Sequence, residues 1–399
     1  MRIILYKWGG FNEDILENKL KALGNEVFVL EMECRDFNSD MVLAQEIITT
    51  VHSQNAEALI SFNFFPIVAA ACNAIGILYY SWIYDSPHFT LYSDAVKYDT
   101  NRIGVFDNAL VEELKSKGVK TCFHLPIAVD IGTFDRRMGR QNGKEFKYDI
   151  SFVGSLYTDK RKNTYYDDFK ADANYCNDKT QESWEYYDEC VRLQAFCYDK
   201  DFIIDNENLD YFLLEKYMSD IGAVLGPDYF ASQRQIVINE VLERKVTSFE
   251  RRRALCEIAN HVSKNRFGLF TNSDTSFDSK LNDANKGTTD YITGMPQVFG
   301  QSMINFNIAL RSIRSGIPLR ALDILGCGGF LLSSPQTELK EEFDIGKEAE
   351  VFESLEECLD KIRFYIDEAE IRNKIAMAGR KKVSELYSYE RLLPLLLTK

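Results

Sequence analysis

Short apolar runs alternate with amphipathic helical runs along most of this chain, and that alternation restricts its fold more than any other feature. Arg2–Tyr6 reads as a buried strand, Trp8-Gly9-Gly10 as a turn, Glu13–Leu23 as a helix that Gly24 ends, and Val27–Met32 as a second strand. Helix Gln45–Ser53, strand Ala58–Phe62, helix Pro66–Ile75 and strand Ile77–Trp82 follow. Strand Ile103–Phe106, helix Asn108–Lys117 and strand Thr121–Leu125 continue the series. Strand–helix–strand order of this kind builds a parallel sheet with helices on its faces. A polar stretch without apolar period, Arg136–Lys147, interrupts it, and a second β-α unit starts at Tyr148. The expected architecture is α/β. Two Rossmann-like domains, residues 1–135 and 148–386, face a cleft and are joined by a linker at 136–147. Gly9-Gly10 lacks the spaced third glycine of a dinucleotide fingerprint. It is either a plain tight turn or a place where a ligand or backbone comes close.

Residues from about 165 to 265 differ in character, being rich in Tyr, Asp and Glu. Helical periodicity over Ser183–Cys197, Leu209–Asp220 and Gln233–Val262 marks them as a helical insertion in the second domain. The strand pattern resumes at Arg266–Thr271. The last third carries helices Thr337–Phe343, Leu355–Ile366, Ile371–Leu386 and Tyr389–Leu397, with a strand at Ala349–Phe352.

The stretch from Asn305 to Ser334 concentrates the candidate chemistry. An apolar segment leads into Arg311, Arg314 and Arg320, and Ser315-Gly316-Ile317-Pro318 reads as a turn opening a short helix to about Leu325. Gly326, Gly328 and Gly329 stop that helix before the strand Phe330-Leu331-Leu332. A helix N-terminus with arginines beside it suits an anion such as a phosphate. Asp323, the only acid in this stretch, can accept hydrogen bonds from a ribose diol, or it can pair with Arg320 across one helical turn. At the strand end Gly154-Ser155, backbone N–H groups could meet a diphosphate, with Lys160 and Arg161 supplying cations; a solvated charge run is the other reading.

In the first half, Tyr84-Asp85-Ser86-Pro87-His88 follows a strand's carboxyl end, where α/β folds place their chemistry. Asp85 or His88 is the candidate general base; alternatively Asp85 and Ser86 cap the next helix.

Composition removes several classes. The net charge of −14 argues against general nucleic-acid binding, so an anionic ligand needs a local basic pocket. Nine cysteines without a Cys-x-x-Cys pair, and only four histidines, argue against a zinc site or a disulfide framework and point to a reducing cytoplasm. No apolar run reaches the length of a bilayer span.

The run NFNIALRSIRSGIPLRALDILGCGGFLLSS, with ELKEEFDIGKEAEVFESLEECLDKIRFYI and AMAGRKKV after it, resembles the CgeB-like (spore-protein glycosyltransferase-like) family. SFVGSLYTDKR is similar to the start of that family's second domain, and YYSWIYDSPHF and HLPIAVD resemble the domain that accompanies it. The resemblance implies a GT-B fold and a glycosyltransferase that needs no bound metal or cofactor. A nucleotide-diphosphate sugar would be the donor, and a saccharide, lipid-linked or protein acceptor would sit in the first domain. It implies that residues 387–399 form a helix crossing back to the first domain. On this reading Gly154, Ser155, Lys160 and Arg161 face the donor diphosphate, with Arg311, Arg314 or Arg320 opposite. Asp323 holds the ribose, and Glu338 touches ribose or sugar. Relatives with retaining chemistry carry two glutamates with seven residues between them; Ser315 and Asp323 stand at those positions here, so that mechanism does not transfer directly. A nucleotide-sugar epimerase of the same fold and a non-catalytic sugar- or nucleotide-binding protein are the other readings.

Overall fold

A computed structural model of the chain describes residues 1–10, 12–86, 88–138, 146–158, 189–197 and 242–399. The first domain is a six-stranded sheet of β1 (Arg2–Lys7), β2 (Glu26–Glu31), β3 (Ala58–Phe62), β4 (Leu78–Ile83), β5 (Asn101–Val105) and β6 (Cys122–His124). Every pairing is parallel, and the order is β2-β1-β3-β4-β5-β6. β1 and β3 are apolar at nearly every position because helices cover both faces of a parallel sheet. Asp40 caps helix Met41–Gln54 by accepting from the Leu43 N–H, and Gly76, at φ 72°, ends helix Pro66–Ile75.

The second domain repeats the plan. β7 (Tyr148–Val153), β8 (Phe267–Phe270), β9 (Ser302–Asn307), β10 (Leu331–Ser333) and β11 (Glu350–Val351) form a parallel sheet in the order β11-β10-β9-β7-β8. In each sheet the first strand lies between the second and the third. The chain therefore winds one way from it and then the other, and a crevice opens above the carboxyl ends of β1 and β3, and of β7 and β9.

Two sequence expectations change. Helix Glu243–His261, assigned to an insertion, is the crossover between β7 and β8; Ala254, Leu255 and Ile258 are buried in the second core against Ile150, Phe267 and Ile304. Most of the rest of the expected insertion lies outside the described residues. The expected linker begins inside a helix, Ile131–Met138, and residues 139–145 lie outside the described residues. The final helix, Tyr389–Leu397, packs Leu392, Leu393 and Leu396 against Leu5, Leu16 and Leu20 of the first domain. Among the described residues no helix is long and apolar enough to cross a membrane.

The domains also meet through a reciprocal clamp. Asp107 precedes helix Asn108–Ser116 but does not cap it; its carboxylate crosses to the second domain and accepts from the Arg314 and Ser315 N–H groups at 2.8 and 3.2 Å. The helix is capped in exchange. The Asn108 N–H donates to Glu338 Oε1 and the Ala109 N–H to Ser315 Oγ. Ser315 Oγ lies 2.8 Å from Asp107 Oδ1 and 2.7 Å from Glu338 Oε1, and His124 Nε2 lies 3.0 Å from Glu338 Oε2.

Candidate active site

At the β7–β9 crevice the turn after Val153 spends most of its backbone donors internally. Gly154 N–H donates to the Phe270 carbonyl, Leu156 N–H to Ser273 Oγ and Tyr157 N–H to Ser155 Oγ. The Ser155 N–H has no partner among the described residues. Arg251, from the crossover helix, reaches under this turn. Its Nη1 donates to the Ser155 carbonyl at 2.6 Å, and Nε and Nη2 donate to the Ile308 carbonyl at 3.2 and 2.5 Å. The guanidinium thus ties the end of β7 to the end of β9, at the switch point itself. It lies over the Phe152 and Tyr157 rings and is buried.

Arg251 pairs with no carboxylate among the described residues. Three of its five N–H groups donate to these two carbonyls, and the Tyr157 side chain lies against the guanidinium. Burial depresses its pKa, opposed by Tyr157 and Glu250 and reinforced by the positive charge of Arg320. A guanidinium remains charged under such pressure, so a cation with no carboxylate in contact among the described residues, though within the field of Glu250, sits at this crevice. Arg320 extends past the Phe299 ring; its Nη1 lies 2.6 Å from the Met295 sulfur and 3.4 Å from Asp323 Oδ2.

The other sequence candidates are distributed differently. Arg311 is partly buried and engaged elsewhere: Nε and Nη2 donate to Glu250 Oε1, and Nη2 also reaches the Gln194 and Cys197 carbonyls. Arg314 pairs with Glu113 of the first domain, and Glu338 serves the clamp. Asp323 is buried and accepts from the Tyr291 hydroxyl at 2.8 Å, which in turn accepts from Asn12 Nδ2 of the first domain. Burial raises its pKa to about 6, against the lowering effects of Arg320 and Tyr291. A ribose diol would reach Asp323 by taking the place of Tyr291. Lys160 and Arg161 lie outside the described residues. Arg251 was not singled out from the sequence. Its signal was there: in helix Glu243–His261 it shares the i, i+3, i+4, i+7 face with Ala254, Leu255 and Ile258.

The β1–β3 crevice carries the other pair. Asn63, in the left-handed conformation at φ 55°, accepts from the Tyr84 and Asp85 N–H groups and donates from Nδ2 to Asp85 Oδ2 at 2.7 Å. Asp85 is therefore exposed yet fixed. For His88 the tautomer follows from its neighbour. Thr90 gives its only hydroxyl proton to the Phe64 carbonyl at 2.7 Å, so Nδ1–H donates to Thr90 Oγ1 at 2.6 Å and Nε2 carries the lone pair. Burial lowers the His88 pKa; Asp85 opposes this and Arg244 reinforces it. The imidazole is held neutral with Nε2 available, the state a general base needs. Asp85 and Ser86 cap no α-helix: 3-10 turns Phe89–Tyr92 and Asp94–Lys97 follow.

A family model described as glycosyl transferase-like matches residues 247–398, from the crossover helix to the final helix. No curated protein sequence matches the chain. Among solved structures, sucrose-phosphate synthase from Thermosynechococcus elongatus is 9% identical with a TM-score of 0.53, covering 100% of this chain and 97% of that one. A glycosyltransferase from Rickettsia africae is 11% identical with a TM-score of 0.52, covering 100% and 97%. Anabaena HepE in complex with UDP and glucose is 8% identical with a TM-score of 0.52, covering 100% and 98%. These likenesses are of fold: two parallel-sheet domains in the GT-B arrangement.

Proposed function

We propose that this protein is a glycosyltransferase, moving a sugar from a nucleotide-diphosphate sugar to an acceptor hydroxyl in the cleft without a bound metal. One observation carries the reading: a buried arginine that, among the described residues, has no carboxylate partner, bridging the ends of β7 and β9 beside an N–H with no partner among those residues. An anion completes that site, and a diphosphate suits it. UDP and glucose in the HepE structure, whose fold is similar, favour a uridine nucleotide as the first ligand to try.

In the proposed reaction the diphosphate lies against the Ser155 N–H, Arg251 and Arg320. As the bond from the anomeric carbon to phosphate oxygen breaks, charge grows on the leaving phosphate, and these fixed donors stabilise it. The acceptor oxygen forms the new bond to that carbon and gives its proton to His88 Nε2. Asp85 lies close enough to steady the imidazolium electrostatically. The cations take the part a metal plays in other transferases.

The test is a melting-temperature screen against nucleoside diphosphates and nucleotide sugars, with and without chelator, followed by turnover of His88→Ala. Binding of one nucleotide should raise the midpoint regardless of chelator. His88→Ala should keep that shift and lose about 100- to 10,000-fold in turnover. No shift with any nucleotide, or unchanged turnover in the variant, contradicts the reading. Turnover without acceptor would make the protein an epimerase.

A further inference from the structure

The turn Trp8-Gly9-Gly10 has no part in the chemistry above, yet it stands at the switch point of the first sheet, at the carboxyl end of β1. Its indole is pinned on every side but one. Nε1–H donates to the Phe62 carbonyl at the end of β3, 3.2 Å away. Gly10 lets the ring lie against the backbone: a Cβ there would sit 2.9 Å from Trp8 Cζ2. Glu13 fixes the turn by accepting from the Trp8 and Gly9 N–H groups. Phe65 packs against the indole at 5.9 Å between centroids. Despite all this, Trp8 is 36% exposed, whereas Trp82 beneath it in the sheet is fully buried. Holding a large aromatic ring rigid and half in water has no purpose in the core.

The ring contacts run on from Trp8 to Phe65, from Phe65 to Phe37 at 5.8 Å, and from Phe37 to His88 at 6.2 Å. An aromatic wall thus joins the exposed indole to the imidazole assigned as base. Phe62, which takes the indole N–H, immediately precedes Asn63, which holds Asp85. The exposed ring and the two polar groups are therefore placed by adjacent residues of one strand end. Glu13 and Asp85 place two carboxylates at this corner, and the positive charge of Arg244 also reaches His88.

We infer that Trp8 is an acceptor platform, and that the acceptor is a neutral saccharide whose apolar C–H face stacks on the indole while a hydroxyl reaches His88 and Asp85. This assignment rests on the transferase reading for its direction of transfer. The binding site itself stands on the geometry of the turn. Loss of the apolar face that the indole offers should weaken saccharide binding about tenfold.

The experiment titrates the full chain with neutral cello-, malto- and chito-oligosaccharides, and in parallel with glycerol-phosphate oligomers and a polyprenyl phosphate, each with and without the nucleotide that raises the melting temperature. At least one neutral oligosaccharide should bind. Trp8→Ala should weaken it about tenfold, Trp8→Tyr should recover part of the loss, and nucleotide affinity and melting temperature should hold. Neutral saccharides failing to bind, binding equally to Trp8→Ala, or giving way to a phosphorylated probe as the only ligand would each overturn the inference. Saccharide binding with no nucleotide binding would instead sink the transferase reading and leave this site standing.

Discussion

The two sheets share one strand order, so each has one crevice, but the crevices are lined with opposite chemistry. Above β1 and β3 stand an indole, a neutral imidazole and a fixed carboxylate; above β7 and β9 stand a buried guanidinium, a second arginine and an N–H without a partner among the described residues. Topology supplies the place in both cases. The side chains decide what enters, and on the reading proposed above they would separate a neutral, ring-faced ligand from an anionic one. The clamp of Asp107, Ser315 and Glu338 holds the two crevices in one cleft.

The comparison within the second domain is sharpest between Arg311, which is partly buried, and Arg251, which is buried. Arg311 meets the Glu250 carboxylate; Arg251 donates to carbonyl oxygens. Arg311→Ala should be the most damaging change to stability, about 3–5 kcal/mol, because it strands a buried carboxylate whose pKa burial already raises. Urea unfolding measures this. A loss below about 1 kcal/mol would show that Glu250 simply takes up a proton, and the distinction between a structural and a ligand-seeking arginine would blur.

Asp323 sharpens the comparison differently. Its folded pKa, about 6, lies above the ordinary carboxyl value of 3.8, so the stability tied to this group is fully present below 3.8 and is lost as pH rises through about 6. Asp323→Asn should flatten that part of the pH profile and be at least as stable as the parent at neutral pH. If the carboxylate also serves the donor ribose, nucleotide affinity should fall at the same time. A destabilised variant with unchanged affinity would assign Asp323 to the Tyr291 contact alone.

Most of the fold could be read from the alternation of apolar strands and amphipathic helices, because a parallel sheet buries both faces of its strands. The boundaries that failed were set by packing. Glu243–His261 was read as insertion because its charge-rich run, with Glu243, Arg244, Lys245 and Arg251–Arg253, masks the apolar face that enters the core. For the site, strand-end loops pointed to Asp85, His88, Gly154 and Ser155. Local sequence does not tell where an arginine's partner lies. Of Arg311, Arg314 and Arg320, the first two meet acids distant in the chain, Glu250 and Glu113, while Arg251 stands unmarked between other charges in its helix. The exchange of caps between Asp107 and Glu338 is equally hidden, since Asp107 before a helix reads as its own N-cap.

The central claim is that the crevice above β7 and β9 takes the donor's diphosphate through Arg251. Calorimetric titration of UDP and UDP-sugars into the parent and Arg251→Gln tests it most directly. Loss of a charge-assisted hydrogen bond at ~1.5–3 kcal/mol predicts a loss of roughly tenfold or more in nucleotide affinity, with the fold retained. Equal affinity in the two proteins would contradict the account and move the donor away from this arginine.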